Sequence, residues 1–166
     1  LNPDYSQVEV DRQQTNLDRF ELYFPEKRKF FLENRDLFAS LGAEQVRPFF
    51  SRRIGLDAPV IAGARLSGKA GEKFRVGIMD MQTASKDTIA ASNYSVAVLQ
   101  RSVLKRSNLG VFMTNKQVMG TGTDSAYHSY LYNRVAGAEF NLASVDNNWT
   151  GKAFYHYSFN PGPEGD

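Results

Sequence analysis

The chain has 166 residues, a formal net charge of +2 and no cysteine, so it holds about one domain and excludes a disulfide framework, a thiolate metal site and a cysteine nucleophile. Its cations are scattered rather than gathered, so no nucleic-acid partner is expected. No run of 18 apolar residues occurs, which excludes a transmembrane helix but leaves β-strands able to cross a bilayer.

Leu1 to Val10 alternates weakly and reads as a lead-in strand. Thr15 with Asp18 then resembles a capping box, and Leu17, Phe20 and Phe24 fall on one stripe, so a short helix is expected there. Pro25 ends it, because its ring clashes with the preceding turn. The stretch from Tyr23 to Glu33 follows, a knot in which Glu26, Lys27, Arg28, Lys29 and Glu33 alternate with Phe24, Phe30, Phe31 and Leu32. Such a segment needs a polar wall and an apolar one. It reads either as a solvated turn with an aromatic plug, or as a luminal or periplasmic element whose ion pairs brace a barrel wall. Asn34 to Gln45 reads as a polar connection, and Val46 to Gly55 as resumed β structure carrying Phe49, Phe50, Arg52 and Arg53. We divide the chain into a lead-in strand, helix and knot over 1–45, and antiparallel hairpins over 46–166.

From Pro59 onward the period is two. Val60, Ala62, Ala64 and Leu66 alternate with Ile61, Gly63, Arg65 and Ser67, and Phe74, Val76 and Ile78 alternate with Arg75, Gly77 and Met79. A three-residue loop at Lys69 to Gly71 would put Gly71 in the left-handed region, pair Leu66 with Phe74 and set Arg65 opposite Arg75. Two facing cations require a carboxylate or water between them. In the next hairpin Tyr94, Val96 and Val98 are expected to pair with Leu109, Val111 and Met113 around Ser102 to Lys105. In the third, Tyr130, Tyr132, Ala136, Ala138, Phe140 and Leu142 face Trp149, Ala153, Tyr155, Tyr157 and Phe159, while Asn133, Glu139, Asn141, Lys152, His156 and Ser158 form the other, wet face.

Two regularities favour a membrane barrel over a soluble sheet, the rival with the same alternation. Short connections alternate with longer ones at Ala84 to Ser92 and Gln117 to Ala126, as in outer-membrane barrels. Tyr94, Tyr130, Tyr132, Tyr157 and Phe159 fall at the long-loop end, with Phe140 and Trp149 at the short-turn end, levels that suit membrane-interface aromatics. Many apolar positions are also Ala or Gly, which lipid tolerates more readily than a packed core. The apolar turn at Val103 and Leu104 has no explanation in this pattern. The expected fold is therefore all-β, antiparallel up-and-down hairpins forming part of a transmembrane β-barrel, with one short N-terminal helix.

The motifs Leu1 to Glu9, Phe24 to Arg28, Phe30 to Asn34, Phe49 to Gly55 and Ala62 to Lys69, with Asn93 to Val96 and Asn133 to Ala138, resemble an uncharacterised domain of Bacteroidetes-type bacteria. Lys29 stands where that family is expected to carry proline. The resemblance implies an outer-membrane β-barrel that follows a family-nine-like carbohydrate-binding module, and no assigned catalytic residues. Because the chain starts at Leu1 and runs out in Asn160 to Asp166, it is expected to be an excerpt that continues beyond 166.

The candidate bracing or luminal charges are Glu26, Lys27, Arg28, Glu33, Arg52, Arg53, Arg65 and Arg75. Arginines lining a lumen would favour anionic solutes. Glu26, Glu33 and Asp36 are the carboxylates a glycosidase would need, since both hydrolytic geometries use two flanking one bond. Braced by Lys27, Arg28 and Arg35, they read as structural, and no catalytic residue is assigned. His128 and His156 lack ligand spacing, so neither a metal nor a cofactor is expected. The function read from the sequence is transport or surface handling of carbohydrate in the bacterial outer membrane. Partners are outer-membrane lipid, other outer-membrane proteins, and carbohydrate through an N-terminal module outside this sequence. Still open are a membrane-associated glycan hydrolase, with O-glycosyl hydrolysis as its reaction, and a soluble carbohydrate-binding module.

Overall fold

A computed structural model describes residues 26–43, 46–55, 58–119 and 131–160. The expected lead-in strand, the helix from Thr15 to Phe24, Tyr130 and His128 lie outside the described residues. Six strands follow one another: β1 (Val60–Ala70), β2 (Phe74–Thr83), β3 (Ser92–Val103), β4 (Ser107–Val118), β5 (Tyr132–Ala143) and β6 (Thr150–Phe159). Each pairs antiparallel with the next in one six-stranded sheet of order β1-β2-β3-β4-β5-β6. The fold is all-β, up and down, with few helices. Each short connection reverses at a residue of positive φ, namely Gly71 (72°), Leu104 (56°) and Asn147 (62°).

The register corrects two hairpins. Pairing begins at Ala70 with Phe74, so Leu66 meets Ile78 and Arg65 meets Met79, while Lys69 faces Arg75. The strands are longer than expected because Lys69 and Ala70 extend the ladder, and the turn moves to Gly71–Lys73. In the second hairpin Tyr94, Val96 and Val98 pair with Lys116, Thr114 and Phe112. Leu109, Val111 and Met113 lie on the opposite face, because the reversal falls at Leu104 to Arg106 and Val98 meets Phe112 instead of Leu109; a shift of three residues, being odd, reverses every side chain. The third hairpin pairs Ala136 with Tyr157, Ala138 with Tyr155 and Phe140 with Ala153, so the two rows share one face, as expected. A register irregularity between Val60 and Ala62 turns Val60 inward, away from the side shared by Ala62, Ala64 and Leu66.

One face of the sheet is covered by residues 26–43 and 46–55. This segment is not β structure: Val46 to Gly55 contains a 3₁₀ turn at Ser51–Arg53, and the connection read as polar holds a helical turn. Two such turns, α1 (Lys29–Leu32) and α2 (Arg35–Ala39), carry the covering side chains. Phe31, Leu37, Phe38, Leu41 and Ile54 pack on Met79, Met81, Val96, Val98 and Phe112. Local polarity misleads here, because each helical turn needs only one or two apolar residues to bury. Full burial of each such side chain is worth about 1.5–3 kcal/mol. Gly77 permits the close approach: a Cβ there would lie 2.6 Å from Phe38 Cζ and 2.7 Å from Leu37 Cδ2.

Candidate functional site

The covered face is tied down by charge. The Arg28 guanidinium donates from Nε and Nη2 to the two Glu26 carboxylate oxygens, both at 2.8 Å. It also donates to the carbonyls of Ile54 (2.6 Å) and Ser51 (2.7 Å), and lies 4.2 Å from the Phe31 ring centroid. The Ser51 hydroxyl donates to Glu26 Oε2 at 2.7 Å. Arg28 and Glu26 are almost wholly enclosed, so the bidentate pair and its extra hydrogen bonds are what make their burial tolerable. Burial pushes the Glu26 carboxyl upward, but hydrogen bonds from Arg28 and Ser51 outweigh it and hold the group below its ordinary range.

Three further ties cross from the segment to the sheet. Arg65 on β1 donates to the carbonyls of Phe30 and Glu33 and pairs with the Glu33 carboxylate. Arg75 on β2 grips Asp36 through both oxygens, at 2.5 and 3.1 Å. That hydrogen bond, more than the smaller opposing effect of burial, keeps the Asp36 carboxyl below its ordinary value. Glu139 on β5, 4% exposed, accepts from the Gly42 backbone N–H at 2.5 Å and from Lys152 Nζ at 2.8 Å, and lies 3.0 Å from His156 Nε2. Lys152 also donates to the Ser40 carbonyl. Gly137 makes room for the imidazole, since a Cβ there would sit 2.5 Å from His156 Cδ2.

Beside these ties runs a transverse chain of planar polar groups. Arg75 Nη1 donates to Gln100 Oε1 at 3.4 Å, and Gln100 and Asn141 both donate to Asn108 Oδ1 at 2.9 Å. Asp36, Glu139, Lys152 and His156 thus join the bracing set that the sequence assigned to other residues. Period two had already put the last three on the wet face; their partners in residues 40–42 were invisible because they are about a hundred residues away. Of the remaining expected charges, Arg52 is buried in the 3₁₀ turn, while Arg53 and Lys27 are exposed. Arg65 and Arg75 do not stand bare in a lumen as an anion ring would. Each is engaged by its own carboxylate.

The other, open face is apolar in successive rows. Leu66, Ile78, Ala97, Met113, Ala136 and Tyr157 form one, and Val76, Leu99, Val111, Ala138 and Tyr155 the next. Leu66 is 68% exposed and Tyr155 71%, so no other layer of the described residues covers them. Toward the long connections the rows end abruptly in Asp80, Ser95, Asn115 and Arg134, one per strand from β2 to β5. Tyr132, Phe140, Tyr157 and Phe159 are on this face, and Trp149 projects from the β5–β6 turn, 74% exposed. Tyr94 does not join them: it sits on the covered face beside Lys116, against the core.

Chemically, the site is a mooring rather than an assembled reaction centre. Glu26, Glu33 and Asp36 are each held by a different arginine, which leaves no shared pair of carboxyls on one bond. Among the described residues no group of three or more His, Asp or Glu could hold a metal ion. The class these features define is an antiparallel β-meander with one moored face and one bare apolar face. Residues 1–75 match the profile of a family described as "Domain of unknown function (DUF5916)", a stretch that contains the knot, both helical turns and β1. No curated protein and no solved structure matches the chain.

Proposed function

We propose that this chain forms part of a bacterial outer-membrane β-barrel that serves transport or surface handling of carbohydrate, with residues 26–55 packed against the luminal side of the wall. The observation that carries the reading is the open face. Its apolar rows run across five or six strands and give way toward the long connections to two polar rows, first Asp80, Ser95, Asn115 and Arg134 and then Gln82, Asn93 and Gln117, a boundary expected where hydrocarbon gives way to headgroups. From Ala97 to the turn at Leu104 the rise of about 3.4 Å per residue gives roughly 24 Å along the strand, or about 18 Å of height at a barrel strand's tilt of about 40°, most of the apolar band of about 25 Å that outer-membrane barrels carry. A patch of this extent exposed to water would instead be an aggregation hazard.

The opposite face suits a wet interior, because Arg28, Arg65, Arg75 and Lys152 are each compensated by a carboxylate and its carboxamides form a hydrogen-bonded row. The bacterial source and the carbohydrate part of the reading rest on the resemblance of the ordered motifs. A moored luminal segment fits gated or substrate-triggered passage better than an open anion pore.

Trp149 is the single tryptophan, so its emission reports on one place. In reconstituted vesicles, brominated phosphatidylcholine should quench it strongly and aqueous iodide weakly. A chain that stays monodisperse without detergent, with Trp149 quenched by iodide alone, would overturn the membrane reading.

A further inference from the structure

The short-turn end of the sheet carries a feature that the barrel pattern leaves unexplained. Leu104 occupies the tip of the β3–β4 turn at φ 56°, a left-handed position where Asn or Gly is the undemanding choice, and it is 78% exposed. Val145 and Trp149 stand equally bare on the β5–β6 turn. Neither local conformation nor packing accounts for large apolar groups at these tips.

Cations surround them. Lys73, Lys105 and Arg106 are exposed in the turns, and Arg101 lies one row inside the apolar band, opposite Phe74 and Leu109. The Arg101 guanidinium rests 5.5 Å from the Phe74 ring centroid, and Arg106 donates to the carbonyls of Ser144 and Val145. None of the four has a carboxylate partner among the described residues. Of the two turn carboxylates, Asp146 is occupied by Ser144 and Asn148, and Glu72 is exposed. On the covered face, by contrast, Arg28, Arg65, Arg75 and Lys152 are each matched by a carboxylate.

We propose that this rim is a docking surface for the phosphodiester headgroups of anionic lipids. Arg101 snorkels out of the apolar band, Lys73, Lys105 and Arg106 meet the phosphates, and Leu104, Val145 and Trp149 enter the boundary between acyl chains and headgroups. The occupant is fixed by two properties together: unmatched positive charge calls for an anion, and interleaved apolar tips continuous with the band call for one attached to hydrocarbon. This inference rests on the membrane reading of the open face, and adds which lipid chemistry the short-turn side selects.

The test uses the protein in neutral detergent, titrated with phosphatidylglycerol, phosphatidylcholine or inorganic phosphate and read by native mass spectrometry and thermal melting. Phosphatidylglycerol should bind preferentially and raise the melting temperature, and each cation removed should weaken that preference about fivefold. The variant K73Q/R101Q/K105Q/R106Q should then treat the two lipids alike. K86Q/R134Q, altered at the long-connection end, should keep the preference. If the fourfold variant does not fold, K105Q/R106Q, confined to one turn, carries the same comparison. Equal binding of both lipids by the native chain, an unchanged preference in the rim variant, or full competition by inorganic phosphate would each overturn the proposal. Failure of the membrane reading is seen separately, as dispersal without detergent.

Discussion

The two faces of this sheet are built from the same strands by alternate residues, yet they follow opposite rules. On the covered face the buried carboxylates have defined partners: Glu26 with Arg28, and Glu139 with Lys152 and His156. On the open face large side chains lie bare, and polar groups gather toward the long-connection end and the short-turn rim. A charged group taken from water must be matched or it destabilises the fold, whereas an apolar group facing hydrocarbon needs no partner. The comparison teaches that the covering segment, not a second sheet, closes off one side, and that among the described residues the other side is left bare.

The contrast can be broken most sharply at the buried pair. Replacing Arg28 by Ala leaves the Glu26 carboxylate enclosed without its counter-ion, and should cost about 3–5 kcal/mol in denaturant unfolding. Arg134→Ala, on the polar row of the open face, should cost under about 1 kcal/mol. Next comes the open face itself. Leu99→Arg should destabilise by about 2–4 kcal/mol in a bilayer, the cost of a cation in a lipid-facing band. The same substitution should fall within about 0.5 kcal/mol if that face meets water, so refolding yields in vesicles decide between the media.

A third pair sharpens the packing difference. Gly77→Val intrudes on Leu37 and Phe38 and should cost about 1–3 kcal/mol, with loss of protection against proteolysis in residues 26–43. Ala97→Val, on the adjacent strand but the open face, should be near neutral by the same assay. The smallest effect is that of acid. Glu26 and Asp36 both have folded values below their unfolded ones, so their contribution is whole above the ordinary carboxylate range and is lost as pH falls through the lowered values. The segment should therefore loosen only below about pH 4, measured by hydrogen exchange at Phe31 and Leu37. Asp36→Asn should abolish part of that dependence at little cost in stability, since Asp36 is mostly exposed.

Much of the sheet was legible in the residues. Strict alternation from Phe74 to Met79, and again from Tyr132 to Phe159, fixes which side chains share a face whatever the sheet packs against. The third hairpin was therefore readable down to which side chains share a face. The second was not, because its turn residue Leu104 carries none of the Gly or Asn chemistry that marks a reversal, and an odd shift in register, here of three residues, exchanges the faces of a whole strand. Tyr94 was misplaced for that reason. The helical turns at Lys29–Leu32 and Arg35–Ala39 were hidden as well, being too short to show a period.

By itself, then, the order of residues determined strands, alternation and the exposed charge of each turn, since these depend on neighbours one or two positions apart. Only the tertiary structure decided that Arg65 would meet Glu33, Arg75 meet Asp36 and Glu139 meet Gly42. Such partners are separated by 32 to 97 positions, and no local preference encodes them. They are selected because a charge buried on one side of a sheet is stable only where the chain returns with its complement.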